Sequence, residues 1–195
     1  MPITINGSGT VTGISVGGLP DGTVDAGTLA SGTISNTGKI LQTVVGQSTG
    51  RVSNTTTSWT ASDVAVTITP SATSSKILIM VNGCFHHSAA STIHLSLQRT
   101  VSSSATKLGL ANVSSRVGSN MATLPDDDIY AVGIYPAFFH FVDSPNTTSE
   151  CSYQLQITAG ASYNVNLFVN RTSNDTDADY GARTSSSITA MEISG

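Results

Sequence analysis

From Lys39 onward, one short segment after another places an apolar residue at every second position. Val64, Val66 and Ile68 alternate with Ala65 and Thr67. Ile93, Leu95 and Leu97 alternate with His94, Ser96 and Gln98, and Cys151, Tyr153, Leu155 and Ile157 with Ser152, Gln154 and Gln156. A period of two puts the apolar set on one face of a strand, so each segment can bury only by facing a second layer. Tyr163, Val165, Leu167 and Val169 repeat the pattern, and residues 40–45 and 188–193 add two more strands. The unbroken apolar run 77–81 predicts a strand covered on both faces. The aromatic-rich stretch 134–142 (IYPAFFHFV) contains Pro136, which predicts an edge or a bulge. These make eight strands, or ten with residues 51–60 and 106–111.

Composition excludes the competing fold class. The 195 residues include 2 Glu and 3 Lys against 29 Ser and 27 Thr, so the best polar helix formers are nearly absent. The fold expected for residues 37–195 is all-β, an antiparallel β-sandwich of jelly-roll type. The long connections 99–133 and 170–186 are expected to carry function or to pack on a partner.

Residues 1–36 read differently. They contain no aromatic residue, no Lys and no Arg, and they hold the pentapeptide repeat DGTVD-AGTLA-SGTIS. Gly22, Gly27 and Gly32 recur every five residues, and Val24, Leu29 and Ile34 keep step with them. One apolar residue in five cannot build a core from one strand, and the period matches neither a helix nor collagen. Two further copies of the chain would supply the missing apolar partners. A flexible linker would have no reason to hold the apolar residue in register. An extended attachment and trimerisation segment is therefore expected over 1–36.

Charge narrows the partners. The net charge is −4 with 10% charged residues, so no basic patch exists to neutralise phosphates and nucleic acid is not an expected partner. No apolar run approaches a membrane-spanning length, and the N-terminus lacks the basic-then-apolar pattern of a secretory signal. Cys84 and Cys151 are expected as free buried thiols.

The opening ITINGSGTVTGISVGGLPDGTVDAGTLA resembles the N-terminal segment of tail-fibre-like virion proteins of bacteriophages, especially marine and cyanobacterial ones. KILQTVV and VTITPSATSSKILIMV resemble the start of their C-terminal β-domain, and VNRTSNDTDADYGARTSSSITAMEISG its closing strands. The resemblance implies a homotrimeric virion structural protein, assembled in the bacterial host cytoplasm, with a jelly-roll domain at one end. Two placements stay open. One is a short tail fibre whose loops touch host surface polysaccharide. The other is a head fibre or cement protein that packs on capsid subunits.

Chemistry-bearing residues are sparse. Asp175, Asp177 and Asp179 sit at alternate positions, as oxygen ligands of a calcium loop would. Tyr180 separates them from Gly181 and no bidentate Glu follows, so a solvated acidic turn is the plainer reading and a metal site the weaker one. Asp126, Asp127 and Asp128 form a second acidic cluster, read as an exposed loop. His86 and His87 are adjacent and should point to opposite faces of a strand, which rules out joint chelation. No G-x-S-x-G elbow occurs, and no pair of carboxylates flanks an apolar pocket as a polysaccharide-cleaving tailspike would need. No enzyme activity and no cofactor are expected. Tyr130 and Tyr180, in the long loops, are the candidate rings for stacking on a surface glycan, while Trp59, Tyr135 and Tyr163 are expected to pack. Six N-x-[ST] sequons, among them Asn54 and Asn170, follow from Asn/Ser/Thr richness.

Overall fold

The computed structural model describes residues 4–5, 11–12, 38–88, 91–123, 133–159, 166–179 and 181–195. The chain divides into two units, Met1–Asn36 and Thr37–Gly195. In the first, β1 (Thr4–Ile5) pairs antiparallel with β2 (Val11–Thr12). The repeat residues Gly22, Val24, Gly27, Leu29, Gly32 and Ile34 lie outside the described residues, as do the loop residues Asp126, Asp127, Asp128, Tyr130 and Tyr180.

The second unit is all-β. Its strands are β3 (Ile40–Ser48), β4 (Ser53–Asn54), β5 (Thr60–Ile68), β6 (Lys76–His87), β7 (Ile93–Val101), β8 (Ser104–Lys107), β9 (Met121–Thr123), β10 (Tyr135–Asp143), β11 (Cys151–Ala159), β12 (Leu167–Val169) and β13 (Ser186–Ile193). They form two antiparallel sheets. One runs β3-β13-β6-β10, with β12 and β4 continuing beside the far end of β6. The other runs β5-β11-β7, followed by β8 and β9 on the same flank of β7. With β8 and β9 counted as one position, the eight places follow the sheet orders 1-8-3-6 and 2-7-4-5 of a jelly roll.

Alternation decides the core. Val64, Val66 and Ile68 of β5, Ile77, Ile79 and Val81 of β6, Leu95 and Leu97 of β7, and Leu155 and Ile157 of β11 fill the space between the sheets. Gly46 lets β3 lie close over the second sheet, since a Cβ there would stand 1.9 Å from the Ala65 carbonyl oxygen. Pro136 falls in β10, which pairs only with β6 among the described residues, so its missing N–H removes no ladder bond on the outer edge.

Several strand expectations are corrected. The segment 51–60 gives only β4 and the start of β5, because Asn54 turns inward to bind Ser58 and Ile157 carbonyls. The segment 106–111 is replaced by the hairpin strand β8, which pairs with β7 through the two-residue turn Ser102–Ser103. From the expected strand 163–169 only β12 is described; Tyr163 and Val165 lie outside the described residues. The run 77–81 is not covered on both faces: Leu78 is half-buried and Met80 is 38% exposed. Cys151 is buried but Cys84 only half-buried, and both are free.

Candidate interaction face

The outer face of the β3-β13-β6-β10 sheet is the least expected feature of the domain. Strand register aligns its side chains in rows. Thr43, Met191, Leu78 and Val142 form one row; Val45, Thr189, Met80 and His140 the next; Gln47, Ser187, Asn82 and Phe138 the third. An antiparallel sheet with one solvated side should present polar residues there. Six of the twelve are Thr, Ser, Asn, Gln or His, but among the others Phe138 is 72% exposed, Val45 55% and Val142 50%, with Leu41 43% exposed nearby on β3. None of the twelve side chains in these rows is Asp, Glu, Lys or Arg. Lys39 and Lys76 stand at one end only. Between β6 and β10 the face is hollowed into a groove of about 540 Å³, with Met80, Phe138 and His140 in its walls. A signal for this face was present in the sequence, since runs 77–81 and 137–142 put apolar residues on both sides of their strands.

The sheets are tied together by polar groups that the alternation pattern does not reveal. Arg99 on β7 donates through Nη1 to both oxygens of Asp143 on β10, at 2.9 and 2.7 Å. Tyr153 Oη, cross-strand from Arg99, donates to the same carboxylate at 2.7 Å. Burial and the bond to Asp143 push the Tyr153 phenol far above its usual range. Glu192 on β13 is fully buried and accepts from Ser71 N, Ser71 Oγ, Ser75 Oγ and Gln42 Nε2 at 2.6–2.7 Å. Burial pushes this carboxyl up, but the four donors outweigh it and hold it at about 2.

At the far end of β6 the two histidines do not point apart. Both are fully buried, and their rings stack with centroids 5.9 Å apart. This corrects the opposite-face expectation, although β6 stays in regular register with β12 through His87. Phe168 stacks on His86 at 5.8 Å, Tyr135 tilts against His87 at 5.6 Å, and the Arg171 guanidinium lies 4.3 Å over Phe168. His86 Nδ1 donates to the Gly133 carbonyl, which leaves its buried Nε2 without a hydrogen-bond partner. Desolvation lowers the His86 imidazole below its ordinary value; the Gly133 bond opposes this, and the charges of His87 and Arg171 add to it.

The acidic turn does not assemble a cation site. Asp175 is occupied by Arg51 Nη1 at 3.1 Å and Arg183 Nε at 3.2 Å. Asp177 and Asp179 are exposed, and among the described residues no three His, Cys, Asp or Glu are placed to hold a metal. Beside this turn, Arg51, Arg183, Asn170 and Thr184 line an open hollow of about 550 Å³. Trp59 lies under the Lys107 ammonium, 3.9 Å from ring centre to Nζ. Tyr135 packs in the histidine column. Two sequons are interior: Asn54 is 2% and Asn170 1% exposed. Asn170 adopts φ 59° and bonds Ser48 and Gly50 carbonyls through Nδ2, while its Oδ1 accepts from Ser186 Oγ.

Compared with known families and curated proteins, the chain matches no family model and no curated sequence.

Proposed function

We propose that this chain is a non-enzymatic structural protein of a bacteriophage virion: a homotrimeric fibre or capsid decoration protein anchored by residues 1–36, with the jelly-roll domain projecting. The observation that carries the reading is the outer face of the β3-β13-β6-β10 sheet, which carries no Asp, Glu, Lys or Arg in its rows and exposes Phe138, Val45, Val142, Leu41 and Met80. Five large apolar side chains exposed on one uncharged face are the kind of surface that a protein partner covers. The segment resemblances to tail-fibre-like proteins supply the kind of assembly. The register of Val24, Leu29 and Ile34 supports three-fold sharing of the N-terminal segment.

The test is attachment. Full-length protein and a variant with Val24, Leu29 and Ile34 all changed to Asp are incubated with particles lacking the chain, then sedimented. The wild type is expected to co-sediment and the variant to stay in solution with an unchanged β-domain circular dichroism. Equal sedimentation of both would contradict the anchoring role.

A second reading, a tail fibre that binds host surface glycan, is favoured by the hollow lined by Arg51, Arg183, Asn170 and Thr184. The exposed Arg51 and Arg183 guanidiniums each spend one nitrogen on Asp175 and keep further N–H donors that suit an acidic polysaccharide. Retention on immobilised host polysaccharide, lost in Arg183→Ala, would select this placement. Release of new reducing ends would instead show a cleaving enzyme.

A further inference from the structure

We propose that the outer face of the β3-β13-β6-β10 sheet is the surface on which neighbouring copies of this chain pack about the trimer axis. The inference rests on the trimeric reading above and assigns its contact surface.

Three observations select a second copy as the occupant. The first is charge. The face carries no Asp, Glu, Lys or Arg between the Lys76 end and Asn82, so three copies of it gathered about one axis bring no like charges together there. A chain with net charge −4 that keeps its charges off one face has a surface compatible with itself.

The second is size. Four strands spaced at about 4.8 Å, with rows reaching roughly 17 Å along them, give a patch of roughly 350 Å² in plan. That lies among the largest patches of ordinary monomers, which are often functional. It is also about half of what one partner buries in a stable standard interface, so the patch alone is too small to hold two free molecules.

The third is the tether. The in-register apolar residues of 1–36 give the chain a separate means of meeting its copies. Once joined there, the β-domains face one another at an effective concentration near millimolar, where a half-sized patch suffices. Met80 at 38% exposure, in the middle row, and Phe138 at 72%, at the β10 edge, are the principal apolar groups offered to that contact.

The experiment uses the full chain. Phe138→Glu and Met80→Glu are made separately, with Thr106→Glu on exposed β8 as a control. Solution mass is read by sedimentation velocity from 0.5 to 50 µM (roughly the range spanning micromolar assembly), and folding by thermal melting. The wild type and Thr106→Glu are expected at the mass of three 20.0 kDa chains. Each face variant is expected to melt as a folded domain but to associate roughly tenfold or more weakly, because a buried unpaired carboxylate opposes the contact. Trimers unaffected in both face variants, or a wild-type monomer at the highest concentration, would overturn the proposal. A wild-type monomer whose particle binding is lost in Phe138→Glu would assign the face to another virion protein and leave the virion reading standing. A trimer broken by Phe138→Glu but absent from particles would do the reverse.

Discussion

Arg99 and Asp143 come from opposite sheets and meet at 2.7 Å, with their side chains 18% and 8% exposed. The pair fixes how one layer sits over the other, because a carboxylate bound twice by one guanidinium nitrogen and once by Tyr153 has one orientation. Asp143→Ala leaves a guanidinium and a phenol without their acceptor. It is expected to cost about 3–5 kcal/mol, read from urea unfolding. The triple variant Arg99→Met, Asp143→Leu, Tyr153→Phe removes every polar member and should recover most of that loss. Equal stability of Asp143→Ala and wild type would show that the pair does not secure the sheets.

Glu192 predicts an acid limb. Its folded carboxyl is held at about 2 against an ordinary 4.5. A depressed carboxyl stabilises the fold above the unfolded value and loses that contribution as pH falls from about 4.5 toward 2. Glu192→Gln should unfold about 2 kcal/mol more easily at pH 7, through the loss of charged hydrogen bonds. It should also lack the stability loss between pH 4.5 and 2. Unfolding midpoints taken across that interval check both points.

His86 acts in a separate window. Burial holds its imidazole below the ordinary value of 6.5, and burial and the Lys107 charge do the same to His94. The unfolded chain therefore takes up protons near pH 6.5 that the folded chain refuses, so stability is complete above that pH and falls below it. Changing His86 to Phe, which preserves the stack on Phe168, should shrink the difference in melting temperature between pH 7.5 and 5.5 without abolishing it, since His94 remains. An undiminished difference would exclude His86 as a source.

The β7–β8 hairpin can be improved. Ser102 and Ser103 hold φ 46° and 69° in a two-residue turn that favours Asn-Gly. Ser103→Gly relieves the left-handed strain and is expected to stabilise the domain by about 1 kcal/mol, with Ser102→Asn adding a smaller gain. A rise in melting temperature with an unchanged denaturant slope would confirm the turn assignment, whereas a fall would contradict it.

Thiol chemistry separates the two cysteines. Burial pushes the Cys151 thiol up, while Cys84 is half-buried. In native protein at pH 8, iodoacetamide should label Cys84 well before Cys151, as read by mass of the tryptic peptides. Preferential labelling of Cys151 would mean that its end of β11 opens readily.

The strands of the core were legible because each buries one face, and a buried face imposes a period of two. β5, β7 and β11 therefore follow the sequence closely. The run 77–81 misled because periodicity cannot distinguish a face covered within the chain from one left exposed, as at Met80. Asp143 and Glu192 carried no signal, since a single acid in a strand reads as solvated until its donors are brought in from Arg99, Ser71 and Ser75. The His86–His87 stack was hidden because both residues are buried at that end of β6, against Phe168 and Tyr135, which come from β12 and β10. Asp175 was seen only as part of an acidic turn because Arg51 lies 124 residues away.

The most direct test of the proposed virion role is quantitative mass spectrometry of gradient-purified particles from a phage lysate in which this chain is expressed. The account predicts peptides from both the N-terminal repeat and the β-domain in the particle fraction, at a copy number divisible by three. Intact particles that contain none of the chain, with all of it soluble in the lysate, would contradict the account.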